Sequence, residues 1–357
     1  MKNKTGIILA ILLPVQYVAI KIISGYPEFV ETWYSTGIYP VISRIMRSSL
    51  GVLPLSLGDL LYTFFIISVI RWIAIRVNTR FRHPKKWTVQ ILALASIIYA
   101  CFHLFWGLNY YRLPLHKTLK IKNDYNTEEL IMLTQTLITK SNEVQFELTG
   151  NDSLPVPYNF KKGTLLKKTI DGFDHVSERY PKLTYEGRSL KRSLYSIPLT
   201  YMGFNGYLNP LTSEAQVNTQ ITRYKIPTTA SHEIGHQLGF AKENEANFIA
   251  CLATINHPDP YFKYSGLTFA LRYCLNELYV RDKEQADKMM ATVNFGVREN
   301  YREVREFWEK HQNPFEPIFQ ISYNSFLKAN NQQSGMKSYS YVVALLVNYY
   351  DDVENAF

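Results

Sequence analysis

A chain of 357 residues with a formal charge of +9 is long enough for a membrane part and one good-sized domain. It has no repeat and no low-complexity run, and its positive charge comes without an arginine-rich helix or a stacking platform, which argues against a nucleic-acid partner. Aromatic residues make up 14% of the chain, 26 of them tyrosines, which suits a protein that meets a bilayer interface or an extended binding groove.

Hydrophobicity is concentrated in the first part of the sequence, which divides it into a membrane region, 1–108, and a domain, 109–357. Residues 6–24 are apolar apart from Gln16 and Lys21 and follow the basic start Met1-Lys2-Asn3-Lys4. Pro14 lies inside this run and no clean small-x-small cleavage site follows, so it reads as an uncleaved spanning helix rather than a signal peptide. Residues 57–75 form a second segment of bilayer length, with Asp59 near its outer end and Arg71 placed to snorkel at the inner one. Residues 89–107 form a third, which contains Cys101 and His103 and runs into the interfacial sequence Phe105-Trp106-Gly107-Leu108-Asn109-Tyr110-Tyr111. Between the second and third segments, Arg76, Arg80, Arg82, Lys85 and Lys86 crowd into one short loop. Basic loops mark the cytoplasmic side, and this loop shares a side with the amino-terminal lysines if three helices cross, which leaves the domain outside the cytoplasm. Residues 25–56, with Trp33, Tyr34, Tyr39 and Pro40, then lie on the domain's side, as a connector or packed against it.

The domain opens with helical patterning. Asn126 and Glu129 suit a capping box ahead of a helix over about 128–147, and 165–180 reads as a second amphipathic helix. Short strands follow at 193–198, 203–210 and 214–221, where alternation and turn residues replace helical spacing. Beyond residue 260, helices are expected over 267–280, 282–292, 297–311 and 338–350; the last is too short to span a bilayer and reads as buried. Cys251 and Cys274 are the only cysteine pair in the domain, either a disulfide or two buried thiols.

The stretch that carries chemistry is Ser231-His232-Glu233-Ile234-Gly235-His236-Gln237-Leu238-Gly239-Phe240, which contains H-E-x-x-H. On a helix, His232 and His236 stand i and i+4, so both imidazoles leave one face and can bind one metal ion. Had the helix continued, Glu243 would lie about 10 Å further along the axis, too far to share an ion bound at about 2 Å. Gly239 is the expected helix stop, after which the chain turns back into a second helix starting near Lys242 or Glu243. On that helix Glu243 and Asn247 share a face and Glu245 points away. Glu243 is therefore the expected third ligand, Asn247 the residue that holds a ligand histidine by its second ring nitrogen, and Ala246 is small enough for close approach.

H-E-x-x-H followed by Glu243-Asn244-Glu245-Ala246-Asn247 resembles the gluzincin branch of zinc peptidases, although the separation between the two parts is shorter than usual there. Gly239 also matches the turn glycine of the metzincins, whose third ligand would fall on Lys242, which cannot serve while protonated. The whole arrangement, with three apolar segments, Gly206-Tyr207-Leu208-Asn209-Pro210, Glu214-Ala215-Gln216-Val217-Asn218 and the H-E-x-x-H run, resembles a bacterial envelope family catalogued as a domain of unknown function and grouped with zincin-like metallopeptidases.

The resemblance implies an α+β chain: three amino-terminal transmembrane helices, then a mostly helical zincin-like domain with a small sheet. It places the protein in the bacterial inner (cytoplasmic) membrane as a multi-pass protein, with its domain on the periplasmic or external side. It also implies one zinc ion on His232, His236 and Glu243, Glu233 as general base, and a peptide or protein substrate in the cell envelope. In zincin folds the strand ahead of the metal helix is an exposed edge that pairs with substrate; Glu214, Ala215, Gln216, Val217 and Asn218 occupy that place, with an ordinary hairpin as the other reading. Tyr201, Tyr207, Tyr224, His257 and His311 are candidates for a second oxyanion donor. A non-catalytic envelope binding or scaffold protein with a structural zinc site is the competing expectation; Glu233 speaks against it, since a structural site needs no carboxylate beside its ligands.

Overall fold

The computed structural model describes residues 3–158, 160–186, 189–332 and 339–352. Met1, Lys2 and Ser338, which enter the sequence reading above, lie outside them. The chain opens with α1 (Asn3–Ile23), the single turn α2 (Pro27–Phe29), a π-helical stretch Val30–Ile38, α3 (Tyr39–Leu50), α4 (Leu57–Asn78) and α5 (Pro84–Phe105). Among the described residues, three helical stretches are long and apolar enough to cross a membrane: Lys4–Ile23, Leu57–Asn78 and Pro84–Phe105. They fall on the three segments expected from hydropathy. Then come α6 (Leu115–Leu119), α7 (Thr127–Thr149), α8 (Lys162–Lys168), α9 (Asp171–Arg179), β1 (Leu190–Arg192), α10 (Ser196–Met202), β2 (Gly206–Asn209) and β3 (Glu214–Val217). The helices described beyond the sheet are α11 (Ile226–Gln237), α12 (Glu243–Ile255), α13 (Pro260–Arg281), α14 (Lys283–Ala291), α15 (Phe295–His311), α16 (Glu316–Ala329) and α17 (Tyr339–Asp352).

Local chemistry sets several of these boundaries. The Asn126 side chain accepts from Glu129 N while Glu129 reaches back to Asn126 N, a complete capping box that starts α7. Asp282 separates α13 from α14 by accepting from Gln285 N at 2.9 Å. The core of the domain is built from α7, α12, α13 and α17, with Leu130, Leu137, Phe248, Leu271 and Leu345 fully buried in one cluster. Cys251 and Cys274 are free thiols in that cluster.

Three expectations are corrected. The helix expected over 165–180 is two: α8 packs on α11 and α9 on α12, with a break at Thr169 and Ile170 between these two partners. The strand expected over 193–198 is displaced to Leu190–Arg192, and Ser196 begins α10. Tyr195 N turns back to the Ser193 hydroxyl at 2.9 Å, and Pro198 is tolerated because it sits in a first helical turn, where its missing N–H costs no bond. The third correction concerns Glu214 to Asn218. The sheet order is β1-β3-β2, with β1 parallel and β2 antiparallel to β3, so β3 is the central strand and both its edges are taken. It is buried along its whole length and has no edge to offer a peptide. Among the described residues, the side of β2 away from β3 pairs with no strand.

The Glu214 carboxylate turns instead to α4. It accepts from Leu57 N at 3.2 Å and Gly58 N at 2.5 Å, satisfying amide groups that the helix start leaves without partners. Asp59, fully buried, accepts from Leu194 N at 2.6 Å and from the Tyr207 hydroxyl. Residues 25–56 are likewise packed rather than a loose connector. Val30, Tyr34 and Tyr39 share one buried cluster with Ile20, Trp106, Tyr110, Tyr111 and Ala241.

Candidate metal centre

The H-E-x-x-H residues lie on α11, which ends at Gln237; Gly239 follows with φ of 87°, the left-handed conformation that closes a helix. Phe240 N donates back to Gly235 O at 3.1 Å, and α12 starts at Glu243. The two helices cross closely because small residues meet there: a Cβ on Gly235 would find its nearest neighbours on Ala246, at 3.4 to 3.6 Å. The crossing brings Glu243 back over the histidines. Glu243 Oε2 lies 3.2 Å from His232 Nε2 and Oε1 lies 3.5 Å from His236 Nε2.

These separations can be compared with those an ion would impose. Three donors at about 2.1 Å from one tetrahedral centre stand roughly 3.4 Å apart. The donor atoms of His232, His236 and Glu243 all lie within 4.8 Å of one another, and Glu243 comes within 3.2 Å of His232 and 3.5 Å of His236 through its two different oxygens. Each histidine is held by its other nitrogen: His232 Nδ1 by Asn247 Oδ1 at 2.8 Å and His236 Nδ1 by Phe240 O at 2.7 Å. A carbonyl oxygen can only accept, so Nδ1 of His236 carries the proton and Nε2 presents a lone pair to the cluster when the ring is neutral.

The electrostatics point the same way. Burial works against a charged His236, but hydrogen bonding and charge from Glu243 push it up to about 9. Burial alone would raise the Glu243 carboxyl, yet its bonds to His232 and His236 hold it well below the usual carboxylate range. The two shifts share a cause, the attraction between the His236 ring and the Glu243 carboxylate. Glu233 differs: burial pushes its carboxyl up to about 7, opposed by the two histidines and assisted by Glu243, and Oε2 has no hydrogen-bond partner among the described residues. Its placement depends on Gly206 in β2, where a Cβ would come within 2.8 Å of Glu233 Oε1 and 2.7 Å of Gln216 O.

Glu245 takes no part in the cluster. Fully buried on the other side of α12, it accepts from Leu115 N at 2.9 Å and pairs with Lys242 at 3.8 Å. The five candidate oxyanion donors are not brought to the cluster either. Tyr224 donates to Asn300 O, Tyr207 to Asp59, His257 bonds Lys168 O, and His311 bonds Phe307 O with Tyr201 against its ring. The tyrosine that does arrive is Tyr323 of α16, whose hydroxyl donates to Glu243 Oε1 at 2.6 Å. Burial and the Glu243 charge keep its phenol well above the ordinary range, so it stays a donor. Nothing in the sequence sets Tyr323 apart from 25 other tyrosines.

The carboxyl end of α11 is closed from the amino-terminal region. Trp106 Nε1 donates to His236 O at 3.0 Å, Tyr39 and Ser43 donate to Gln237 O at 2.9 and 3.1 Å, and Arg112 Nη1 donates to Gly239 O at 2.9 Å. Arg112 is itself fixed by a two-pronged buried ion pair with Glu31, each contact 2.9 Å. The sequence ties these residues to the motif by no local pattern.

Fold and site together describe a chain with three apolar helices of membrane-crossing length and a helical domain in which two histidines and two glutamates meet. Over residues 34–347 it matches the family described as "Protein of unknown function (DUF3810)", and the chain belongs to that family. No curated protein and no solved structure matches it.

Proposed function

We propose that this protein is a membrane-anchored zinc metallopeptidase of the zincin kind, acting on peptide or protein substrates in the cell envelope. The observation that carries the reading is the convergence of the donor atoms of His232, His236 and Glu243 within 4.8 Å of one another, with the buried Glu233 on the same helix and its Oε2 without a hydrogen-bond partner among the described residues. The donor set, two imidazoles and one carboxylate, is that of a catalytic zinc site with a position left open. A zinc ion held there would supply a water of lowered pKa and polarise a scissile carbonyl.

The chain's own residues account for the rest. Glu233, raised towards 7 by burial, is matched to accept a proton from water near neutral pH and to return it to the leaving amine. Asn247 and the Phe240 carbonyl orient the two imidazoles. The open side of β2, next to Glu233, is the edge along which an extended peptide would pair, in place of β3. The basic loop between α4 and α5 favours a bacterial inner membrane with the domain on the periplasmic or external side.

Glu233→Gln tests the reading. The substitution keeps shape and hydrogen bonding but removes the proton acceptor, so zinc content should be unchanged while turnover falls by about 10²–10⁴-fold. Envelope proteins from cells expressing wild type or Glu233→Gln would be compared for new peptide ends, with a chelator as control. Full complementation of a deletion strain by the variant would rule out catalysis and favour a scaffold with a structural zinc site.

A further inference from the structure

Two helices of the domain carry apolar residues that no described residue covers. Phe315, Ile318 and Ile321, on and just before α16, are 65%, 58% and 66% exposed; Leu194, Ile197 and Tyr201, on and just before α10, are 51%, 61% and 50% exposed. Ile318 and Ile321 stand one turn apart, as do Ile197 and Tyr201, so each pair shares a helix face. The only charges on α16 are Glu316 and Lys328, near its two ends.

The anchors of these helices say what covers them. The start of α10 is tied to the first turns of α4: Leu194 N donates to Asp59 Oδ2 at 2.6 Å, and the Tyr195 and Thr63 hydroxyls lie 2.6 Å apart. At the other end, Phe326 of α16 packs on Phe102 in the last turn of α5, with 6.0 Å between ring centroids. Asn313 joins the two helices by donating to Tyr201 O at 2.6 Å, and Gly203, at φ 80°, ends α10 where a Cβ would come within 3.1 Å of Glu316 Oε1. A rim therefore runs from the domain-side end of α4 to that of α5. The bilayer that must cover Phe64 on α4 and Leu104 on α5, 70% and 52% exposed, is continuous with this rim.

We propose that α10 and α16 are interfacial helices whose exposed apolar residues enter the lipid leaflet adjoining the domain. The occupant is lipid rather than a protein partner because the rim extends surfaces of α4 and α5 that already need lipid, and because it joins the domain-side ends of two helices of membrane-crossing length. At 100° per residue, Tyr323 lies about 140–200° round α16 from Ile318 and Ile321. One face of α16 thus meets the bilayer while the other donates to Glu243 over the metal cluster.

The test uses the full-length chain with Cys101→Ser and one new cysteine at a time, Ile318→Cys, Ile321→Cys or Lys288→Cys, the last on the charged surface of α14 beside Glu284. Cys251 and Cys274 are fully buried and shielded from labelling in the folded protein. Each variant carries an environment-sensitive nitrobenzoxadiazole label in phosphatidylcholine and phosphatidylglycerol vesicles, with nitroxide groups high on the acyl chains as quenchers. The expected result is blue-shifted emission at positions 318 and 321, quenched several-fold more strongly than at 288. Equal quenching at all three positions overturns the proposal. So does a blue shift at 318 and 321 without lipid quenching, which would mean that protein, such as a second copy, covers the rim.

Discussion

Glu243, Asn247 and Glu245 lie within five residues on one helix, yet their replacement by alanine should damage different properties. Glu243→Ala removes one of three ligand donors, so it should weaken metal binding by more than the 10–100-fold typical of losing an outer partner. Asn247→Ala is such an outer loss, since it frees His232 Nδ1 from its 2.8 Å bond, and should fall within about 10–100-fold. Glu245→Ala should leave the metal in place and damage the fold. It leaves the buried Leu115 N–H without its 2.9 Å acceptor, at about 1–3 kcal/mol, which for a domain of this size lowers the melting temperature by roughly 2–12 °C. Zinc content by elemental analysis after dialysis against a graded chelator gives one order, and thermal melting of the same detergent-solubilised samples gives the other. Loss of zinc in Glu245→Ala with retention in Glu243→Ala would refute the placement of the turn at Gly239.

Gly206→Ala should keep zinc but lower turnover by about 10²-fold, because the added Cβ meets Glu233 Oε1 at 2.8 Å and must displace the base; parallel zinc and activity measurements check it. In chelator-treated protein, the Glu233 carboxyl is raised from 4.5 to about 7 by burial, so its contribution to stability is full below about pH 4.5 and lost as pH rises through 7. Glu233→Gln should therefore gain stability relative to wild type between pH 5 and pH 8, by on the order of 3 kcal/mol, read from melting curves at both pH values. Glu31→Ala leaves Arg112 charged and buried, and should cost about 3–5 kcal/mol; Glu31→Leu with Arg112→Met should recover only part of it in the same melting assay, because Gly239 O then loses its Arg112 donor at about 1–3 kcal/mol.

The parts of the site legible in the sequence are those fixed by helix geometry over short spans. The i, i+4 histidines, the left-handed stop at Gly239 and the common face of Glu243 and Asn247 all follow from 3.6 residues per turn, and the structure places these residues accordingly. Sheet order follows no such rule: β3 precedes the motif helix in sequence but lies at the centre of the sheet because β1, more than 20 residues earlier, pairs along its other side. Helix α16 is not legible for a related reason. Its apolar residues Phe315, Ile318 and Ile321 face outward, and the one side chain it sends to the cluster is a tyrosine among 26.

What the sequence hides most completely is that the turn after His236 is held from the amino-terminal side. Gln237 O and Gly239 O are carbonyls at or just beyond the end of α11, which the helix cannot satisfy for itself, and His236 O, already bonded to Gly239 N at 3.0 Å, takes a second donor. Their donors are Trp106, Tyr39, Ser43 and Arg112, and three of these four lie before residue 109, where composition alone would end the membrane region. Leaving a buried acceptor without its donor costs about 1–3 kcal/mol, which is the expected cost of losing Tyr39 and Ser43 together, since both donate to Gln237 O. The turn that follows His236 is thus held by side chains from α3 and from just beyond α5, so the histidine–glutamate cluster rests on more of the chain than its carboxyl-terminal domain.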